Sequence, residues 1–478
     1  MILNLLALGH IALVLTFTAR ILLRDDLSPP ARLAWFIVVS GLPYAGIALY
    51  FLFGEIDLGQ RATRRHHRIF ANIRARAAEY MGAAKVQEQI IDPLYAPGFS
   101  YAASINGFYA VPGNRAELMQ DASETTQRMV ADIDAATRHV HILYYIWLED
   151  RTGRQIAEAL IRAAKRGVAC RAMADGLGSR GLVGSDTWRE MEEAGVKLAV
   201  ALPLDNPIKT LLTSRIDLRN HRKITVIDGR VTYCGSRNCA DPEFHVKQKF
   251  APWVDIMLRF EGPVVSQNQL LFASDWITAT GEDLSDMQDH AEHFEHGFPA
   301  QVIGDGPTER RGATPQLFAT LIAMARHELT LTTPYFVPDA TVLEALYAAA
   351  HRGVRVTLIF PQKNDSWIVA AASHSYYRNL LKAGCFIHEY KGGLLHAKTL
   401  VIDGQITLVG SSNLDLRSFD LNYENNVLLQ DTGVSGAIGA RQASYIQRSE
   451  PVTLADLHKW PYWRRVWNNV VATIGPIL

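Results

Sequence analysis

A chain of 478 residues exceeds one ordinary hydrophobic core and divides most naturally into two domains plus an extra segment. Its 48 Lys and Arg balance its 48 Asp and Glu, so no global field marks it as a nucleic-acid binder. Cys170, Cys234, Cys239 and Cys385 lie in apolar, strand-like stretches without a CxxC pair and read as reduced core thiols, not as disulfides or zinc ligands.

Residues 1–56 differ from everything after them. Met1 to Leu23 is uncharged until Arg20 and long enough to cross a hydrocarbon core, and after the polar break Arg24 to Pro30 a second uncharged run covers Leu33 to Phe53. Together they predict a transmembrane helical hairpin. A cleaved signal peptide fits less well, because the basic start is missing and a second run follows at once. Residues 57–100 form a basic juxtamembrane linker in which Arg61, Arg64, Arg65, Arg68, Arg74 and Arg76 crowd the exit of the hairpin. That cluster favours a cytoplasmic catalytic body lying against anionic head groups, although Arg20, Arg24 and Arg32 pull the other way.

The remainder reads as two copies of one domain, 101–290 and 291–478. His139 to Trp147 predicts a buried strand; Ile156, Ala159, Leu160 and Ala163 recur at helical spacing, with Thr152 as cap and Gly167 as stop, and Val168 to Asp175 predicts the next strand. The second half repeats the order: Leu329 to Leu331, a helix through Leu343, Leu346 and Tyr347, Arg352-Gly353-Val354, and a strand to Phe360. Alternation of this kind predicts an α/β sandwich around a mostly parallel or mixed sheet. Between Gly195 and His221 the first copy carries a longer loop, where Leu202, Pro203, Leu204, Ile208, Leu211 and Leu212 alternate with Lys209 and Arg215, suited to dipping into a membrane interface. The C-terminal run Trp460 to Trp467 sets aromatics beside arginines, as interfacial anchors do.

Each half contains the same short motif. His221, Lys223, Asp228, Gly235, Ser236 and Asn238 recur with identical spacing as His396, Lys398, Asp403, Gly410, Ser411 and Asn413. A His and a Lys two residues apart on a strand point the same way, so two copies offer two imidazoles and two cations to one pocket. That set suits a phosphodiester without a metal or other cofactor. One neutral imidazole attacks phosphorus, the second donates a proton to the leaving alkoxide and then activates the incoming hydroxyl, and Lys223, Lys398, Asn238 and Asn413 surround the phosphoryl oxygens. Ser236 and Ser411 serve equally for backbone packing or phosphate contact. One histidine must be neutral while the other is charged, and a carboxylate on the far ring nitrogen would make that difference. Asp255 and Glu424, each an acid shortly after its own motif, are the candidates. Asp228 and Asp403 precede Gly at hairpin tips, where turn formation alone explains them. His66-His67 and His290, His293 and His296 are dense enough for a metal, but no Cys or paired carboxylate frames them, and surface placement is the simpler reading.

The doubled motif resembles the phospholipase D superfamily, and the wider match is similar to bacterial cardiolipin synthases. It rests on Leu52-Phe53-Gly54-Glu55, Tyr144-Tyr145-Ile146, Arg219-Asn220-His221-Arg222-Lys223, Pro252-Trp253, Thr333-Pro334-Tyr335-Phe336, His396-Ala397-Lys398 and Leu414-Asp415-Leu416-Arg417-Ser418-Phe419, and so covers nearly the whole chain. The resemblance implies a membrane hairpin followed by two phospholipase D-like α/β sandwich domains sharing one active site, in a multi-pass protein of the bacterial inner membrane. It implies phosphatidyl transfer between two phosphatidylglycerol molecules, giving cardiolipin and glycerol. It makes His221 the nucleophile and His396 the acid and base, counts Lys223, Asp228, Lys398 and Asp403 with the catalytic motifs, and calls for membrane lipids rather than nucleic acid as partners. The tract Cys239 to His245 departs from the family's usual sequence and leaves acceptor preference open. A hydrolytic phospholipase D, a transferase using serine or ethanolamine, a nuclease and an inactive scaffold are the competing readings. A homo-oligomer is compatible with a site complete in one chain.

Overall fold

The computed structural model describes residues 2–25, 27, 29–50, 54, 60–203, 217–284 and 291–473. At the N-terminus, α1 spans Ile2–Leu22, followed by α2 (Pro29–Gly41) and α3 (Pro43–Leu49). The second apolar run, expected to be one span, is therefore broken at Leu42. A residue before proline is pushed out of the helical region, and Leu42 sits at φ −128°, ψ 71° with Pro43 opening the next helix. Phe17, Ile21, Trp35, Val39 and Tyr50 close a small core of their own. Among the described residues no helix is long and apolar enough to cross a membrane.

Both halves of the repeat lie in one compact unit, residues 62–205 with 217–476. The first half supplies β1 (Val111–Leu118), β2 (His139–Tyr144), β3 (Ala169–Asp175), β4 (Lys197–Ala201), β5 (Lys223–Ile227), β6 (Val231–Gly235) and β7 (Met257–Glu261). The second supplies β8 (Phe298–Asp305), β9 (Glu328–Thr332), β10 (Arg355–Pro361), β11 (Phe386–Tyr390), β12 (Thr399–Ile402), β13 (Ile406–Gly410), β14 (Asn422–Gln430) and β15 (Ser449–Val452). Neighbours in the sheet run β15-β11-β10-β9-β12-β13-β14-β8-β1-β7-β6-β5-β2-β3-β4. Followed outward from the central β8–β1 pair, the two halves have the same strand order, and among the described residues only β15 lacks a counterpart. The repeated sequence motif is thus a repeated topology. Within each half three strands are parallel, β2-β3-β4 and β9-β10-β11, and the other neighbours are antiparallel, so the sheet is mixed.

Helices cover both faces. The first half contributes α4 (Ala122–Asp134), α5 (Arg151–Lys165), α6 (Asp186–Glu193) and α7 (Val264–Thr280); the second contributes α8 (Ala313–Met324), α9 (Ala340–His351), α10 (Trp367–Ala383) and α11 (Thr432–Gln447). Successive strand residues point to opposite faces, which separates Leu143 and Met173, in a core shared by both halves with α7 and α11, from Val140, Ile142 and Ala172, packed under α4 to α6. The second half has its own core under α8 to α10.

Local expectations meet small corrections. The strand predicted to reach Trp147 ends at Tyr144. The cap of α5 is Asp150, whose carboxylate accepts from the Gly153 N–H at 3.0 Å, while the Thr152 hydroxyl donates to Asp241 at 2.7 Å. A carboxylate at the position before the first helical residue reaches the free N–H groups better than a side chain already inside the first turn. All four cysteines are buried and unpaired. His66 is not on the surface: it is buried, stacked on Phe70, with Nε2 3.2 Å from Glu309. Of the long loop before His221, Leu202 and Pro203 are described; Leu204, Ile208, Lys209, Leu211, Leu212 and Arg215 lie outside the described residues, as does His290.

Candidate active site

Two short ladders bring the motifs together across the halves. Arg219-Asn220 pairs in parallel with Asn422-Tyr423, so the next residue on each side is His221 and Glu424. Leu394-Leu395 pairs in parallel with Trp253-Val254, so the next residues are His396 and Asp255. The His221 N–H donates to the Tyr423 carbonyl at 2.9 Å, and the His396 N–H to the Val254 carbonyl at 2.8 Å. The register alone sets each imidazole against a carboxylate of the opposite half. His221 Nδ1 lies 2.9 and 3.0 Å from the Glu424 oxygens, and His396 Nδ1 lies 2.6 Å from Asp255 Oδ1. Asp255 and Glu424, expected to act on a ring nitrogen, do touch one, but each crosses to the histidine of the other half.

The serines of the two motifs stand behind the carboxylates. Ser236 donates to Asp255 Oδ1 at 2.6 Å while accepting from the Ile256 N–H. Ser411 accepts from the Asn425 N–H at 2.8 Å and donates to the Asn425 carbonyl at 3.2 Å, beside Glu424. Neither lysine is spread into an open cleft. Lys223 Nζ donates to the His221 carbonyl at 2.6 Å and Lys398 Nζ to the His396 carbonyl at 2.8 Å, both ammonium groups being buried.

Burial dominates the electrostatics. It pushes His221 down to about 4, against the pull of Glu424, and pushes His396 down as well, helped by Lys398 and opposed by Asp255. It lowers Lys223 to about 8 and Lys398 to about 7. The carboxylates move the other way from what burial dictates: His396, Lys398 and Ser236 hold Asp255 below the usual range, and His221 and Lys223 do the same for Glu424. Each lysine feels both carboxylates. The cluster is therefore one electrostatic unit.

Other expected members are placed differently. Asn238 Oδ1 accepts from the Ile146 N–H at 3.3 Å. Asn413 donates to Ser418 Oγ at 3.2 Å and keeps a buried carbonyl oxygen without a partner among the described residues. Asp228 and Asp403 sit at hairpin tips with φ of +54° and +50°. Asp228 accepts from the N–H groups of Thr137, Arg138 and His139 at 2.8 to 2.9 Å, and Asp403 from those of Arg326, His327 and Glu328 at 2.8 to 2.9 Å. Both fasten the entry to a strand, and their carboxyl oxygens are spent there.

Aromatic walls complete the site. Tyr145 lies 4.8 Å from the His221 ring and Trp253 4.6 Å from the His396 ring, with Phe244 stacked behind Trp253. Tyr335 approaches His396 edge-on at 6.5 Å and donates to Asp365, which also pairs with Lys247. Arg222, between His221 and Lys223, is buried, donates to the Glu424 carbonyl at 3.1 Å and forks onto Asp275 at 2.7 and 2.8 Å. Ala397 takes its place in the second copy. Motif spacing gave no reason to select Tyr145, Trp253, Tyr335 or Arg222; the signal that reaches all four is the family resemblance, which rests in part on the segments that contain them.

With this geometry the chain matches a family model described as cardiolipin synthase, phospholipase D-like domain, over residues 129–268 and 318–442. A model for a phospholipase D and nuclease N-terminal segment matches residues 2–55. Cardiolipin synthase A of Serratia proteamaculans is 34% identical over 483 residues, covering 99% of this chain and 98% of that one. Cardiolipin synthase A of Yersinia pseudotuberculosis is 35% identical over 478 residues, covering 98% and 97%. Among solved structures, phosphatidylserine synthase of Haemophilus influenzae shares the fold, with a TM-score of 0.60 at 13% identity over 81% of this chain and 100% of that one.

Proposed function

The chain belongs to the phospholipase D-like cardiolipin synthase family, and from that premise we propose that it transfers a phosphatidyl group from one phosphatidylglycerol to a hydroxyl of another, giving cardiolipin and glycerol. The observation that carries the reading is the pair of crossed dyads, His221 with Glu424 and His396 with Asp255. A carboxylate on Nδ1 fixes the proton there and leaves Nε2 as the reactive atom.

In the first step the lone pair of His221 Nε2 forms a bond to phosphorus. The bond from phosphorus to the glycerol oxygen breaks, and protonated His396 gives its Nε2 proton to the departing alkoxide. In the second step neutral His396 takes the proton of the acceptor hydroxyl, whose oxygen bonds to phosphorus as the P–N bond breaks. Free His396 is biased to the neutral form by burial; an arriving phosphodiester anion favours its imidazolium, and the same anion restores full charge to Lys223 and Lys398. Asn238 and Asn413 add neutral donors around the phosphoryl oxygens.

The N-terminal segment, α1 with the broken α2–α3 pair, is read as the membrane-embedded part of a multi-pass protein of the bacterial inner membrane, with the catalytic body on the cytoplasmic side. Its uncharged runs and the N-terminal family model support that reading.

The test is the full chain, purified in mixed micelles with phosphatidylglycerol as the only lipid, with products separated by chromatography. Cardiolipin and glycerol in equal amounts are expected. Phosphatidic acid alone makes the protein a hydrolase, and a new phospholipid formed only on adding serine or ethanolamine assigns another acceptor.

A further inference from the structure

The C-terminal helix Tyr462–Thr473 turns an unusual face to solvent. At helical spacing, Trp463, Val466, Trp467 and Val470 are 71%, 62%, 45% and 52% exposed, while Asn468 and Val471 on the opposite side are buried. Trp367, the first residue of α10, is 63% exposed and stacks on Trp467 with ring centroids 5.9 Å apart. Scattered exposed apolar residues are ordinary; three neighbouring tryptophans on one face are not. Tryptophan in such a position suits the boundary between water and acyl chains.

Behind this face lies a cleft of about 180 Å³ lined by Arg378, Arg465, Asn468, His374 and Trp460. Asn468 is 4% exposed, and its side-chain NH2 has no hydrogen-bond partner among the described residues. Arg464 stacks on Trp460 at 3.9 Å. A buried amide donor without an acceptor costs stability, and two guanidinium groups beside it make the cleft complementary to an anion with several oxygens. The position also has a bearing on the site: Trp367 follows Asp365 by two residues, and Asp365 accepts from Tyr335, which abuts His396.

We propose that helix Tyr462–Thr473 and Trp367 form a membrane-docking face, with the cleft of Arg378, Arg465 and Asn468 seating the head-group phosphate of an anionic phospholipid that is not the reacting one. The face lays Trp367, Trp463 and Trp467 into the interface and holds the second half of the catalytic body at the lipid surface.

Hydrogen exchange of the full chain reconstituted into phosphatidylcholine vesicles, with and without phosphatidylglycerol, tests this. Amides of 462–473 are expected to gain protection only when the anionic lipid is present. Trp463→Ala and Arg465→Gln should each remove that gain, and turnover of detergent-dispersed phosphatidylglycerol should stay within about twofold of the parent. Equal exchange in both vesicles overturns the proposal, as does protection that both variants retain. Protection that rises with protein concentration in detergent alone would assign the face to a second copy of the chain and equally overturn it. Since cardiolipin formation in detergent is read separately, loss of docking and loss of the proposed chemistry are distinguishable.

Discussion

Glu424, in the second half of the chain, holds His221 of the first half by Nδ1 at 2.9 Å. The mirror contact, Asp255 to His396 at 2.6 Å, runs the opposite way. Each half thus supplies one imidazole and the carboxylate for the other's imidazole, so neither half carries an intact dyad. Glu424→Gln keeps the shape but accepts through one oxygen and leaves the tautomer of His221 unfixed. A fall in kcat of roughly 10²- to 10⁴-fold is expected, with KM for phosphatidylglycerol little changed. Equal losses in kcat and in substrate affinity would point to collapse of the pocket instead.

One difference between the two dyads is Arg222 against Ala397. Arg222 clamps the backbone at Glu424 to Asp275, which fixes the carboxylate that orients His221 and favours His221 as nucleophile. With His396→Ala, phosphatidylglycerol should therefore leave a stable phosphatidyl adduct on His221, detectable by mass spectrometry of the peptide carrying it. The reciprocal His221→Ala should give no adduct. An adduct found on His396 alone would exchange the two roles.

Much of this was legible in the residues. The doubled motif, the left-handed turn at Asp228-Gly229 and the helix under Ile156, Leu160 and Ala163 all have local physical causes, and spacing reveals local causes. The crossing of the dyads has none: Glu424 is 203 residues from His221, and only the two-residue ladders of Arg219-Asn220 and Leu394-Leu395 dictate which acid meets which imidazole. Ser236 and Ser411 were ambiguous for the same reason, since their role depends on carboxylates placed by another strand. The break at Leu42 was readable from Pro43, but hydropathy outweighed it, because a run of apolar residues does not record where its backbone must leave the helix.

His396, protonated in the first step, and the buried lysines together set the alkaline limb of the pH profile. His221, pushed to about 4, is neutral over the working range, whereas Lys398 near 7 and Lys223 near 8 lose their protons on the alkaline side in the free enzyme. Since phosphate binding needs the ammonium forms, kcat/KM is expected to fall as pH rises through 7 to 8, while kcat, measured with the anion bound, falls at higher pH. Lys398→Arg keeps its charge at every pH and should flatten the first part of that fall, at reduced activity because its planar fork does not fit the place of a point charge. A wild-type kcat/KM that stays level to pH 9 would remove the lysines from substrate binding.

Asp228 separates a structural from a chemical role for the third motif residue. Burial works to raise its pKa, but N–H groups of Thr137, His139 and Arg138 outweigh it and hold the carboxylate below its usual range. A carboxyl with a depressed folded-state pKa contributes stability that is full above the unfolded pKa and is lost as pH falls through the folded one. Asp228→Ala removes an acceptor from four donors, the three N–H groups and the Thr137 hydroxyl, and should destabilise the body by about 2–4 kcal/mol at neutral pH; for Asp228→Asn a smaller loss is expected. Both variants should approach the parent in thermal denaturation only as pH falls below the usual carboxylate range, through the lowered folded-state pKa. Because the carboxylate touches neither histidine nor lysine of the motifs, kcat per folded molecule should remain within about threefold of the parent at 20 °C below the variant's melting range. A folded Asp228→Asn protein with kcat lowered by two orders of magnitude would return this residue to the chemistry.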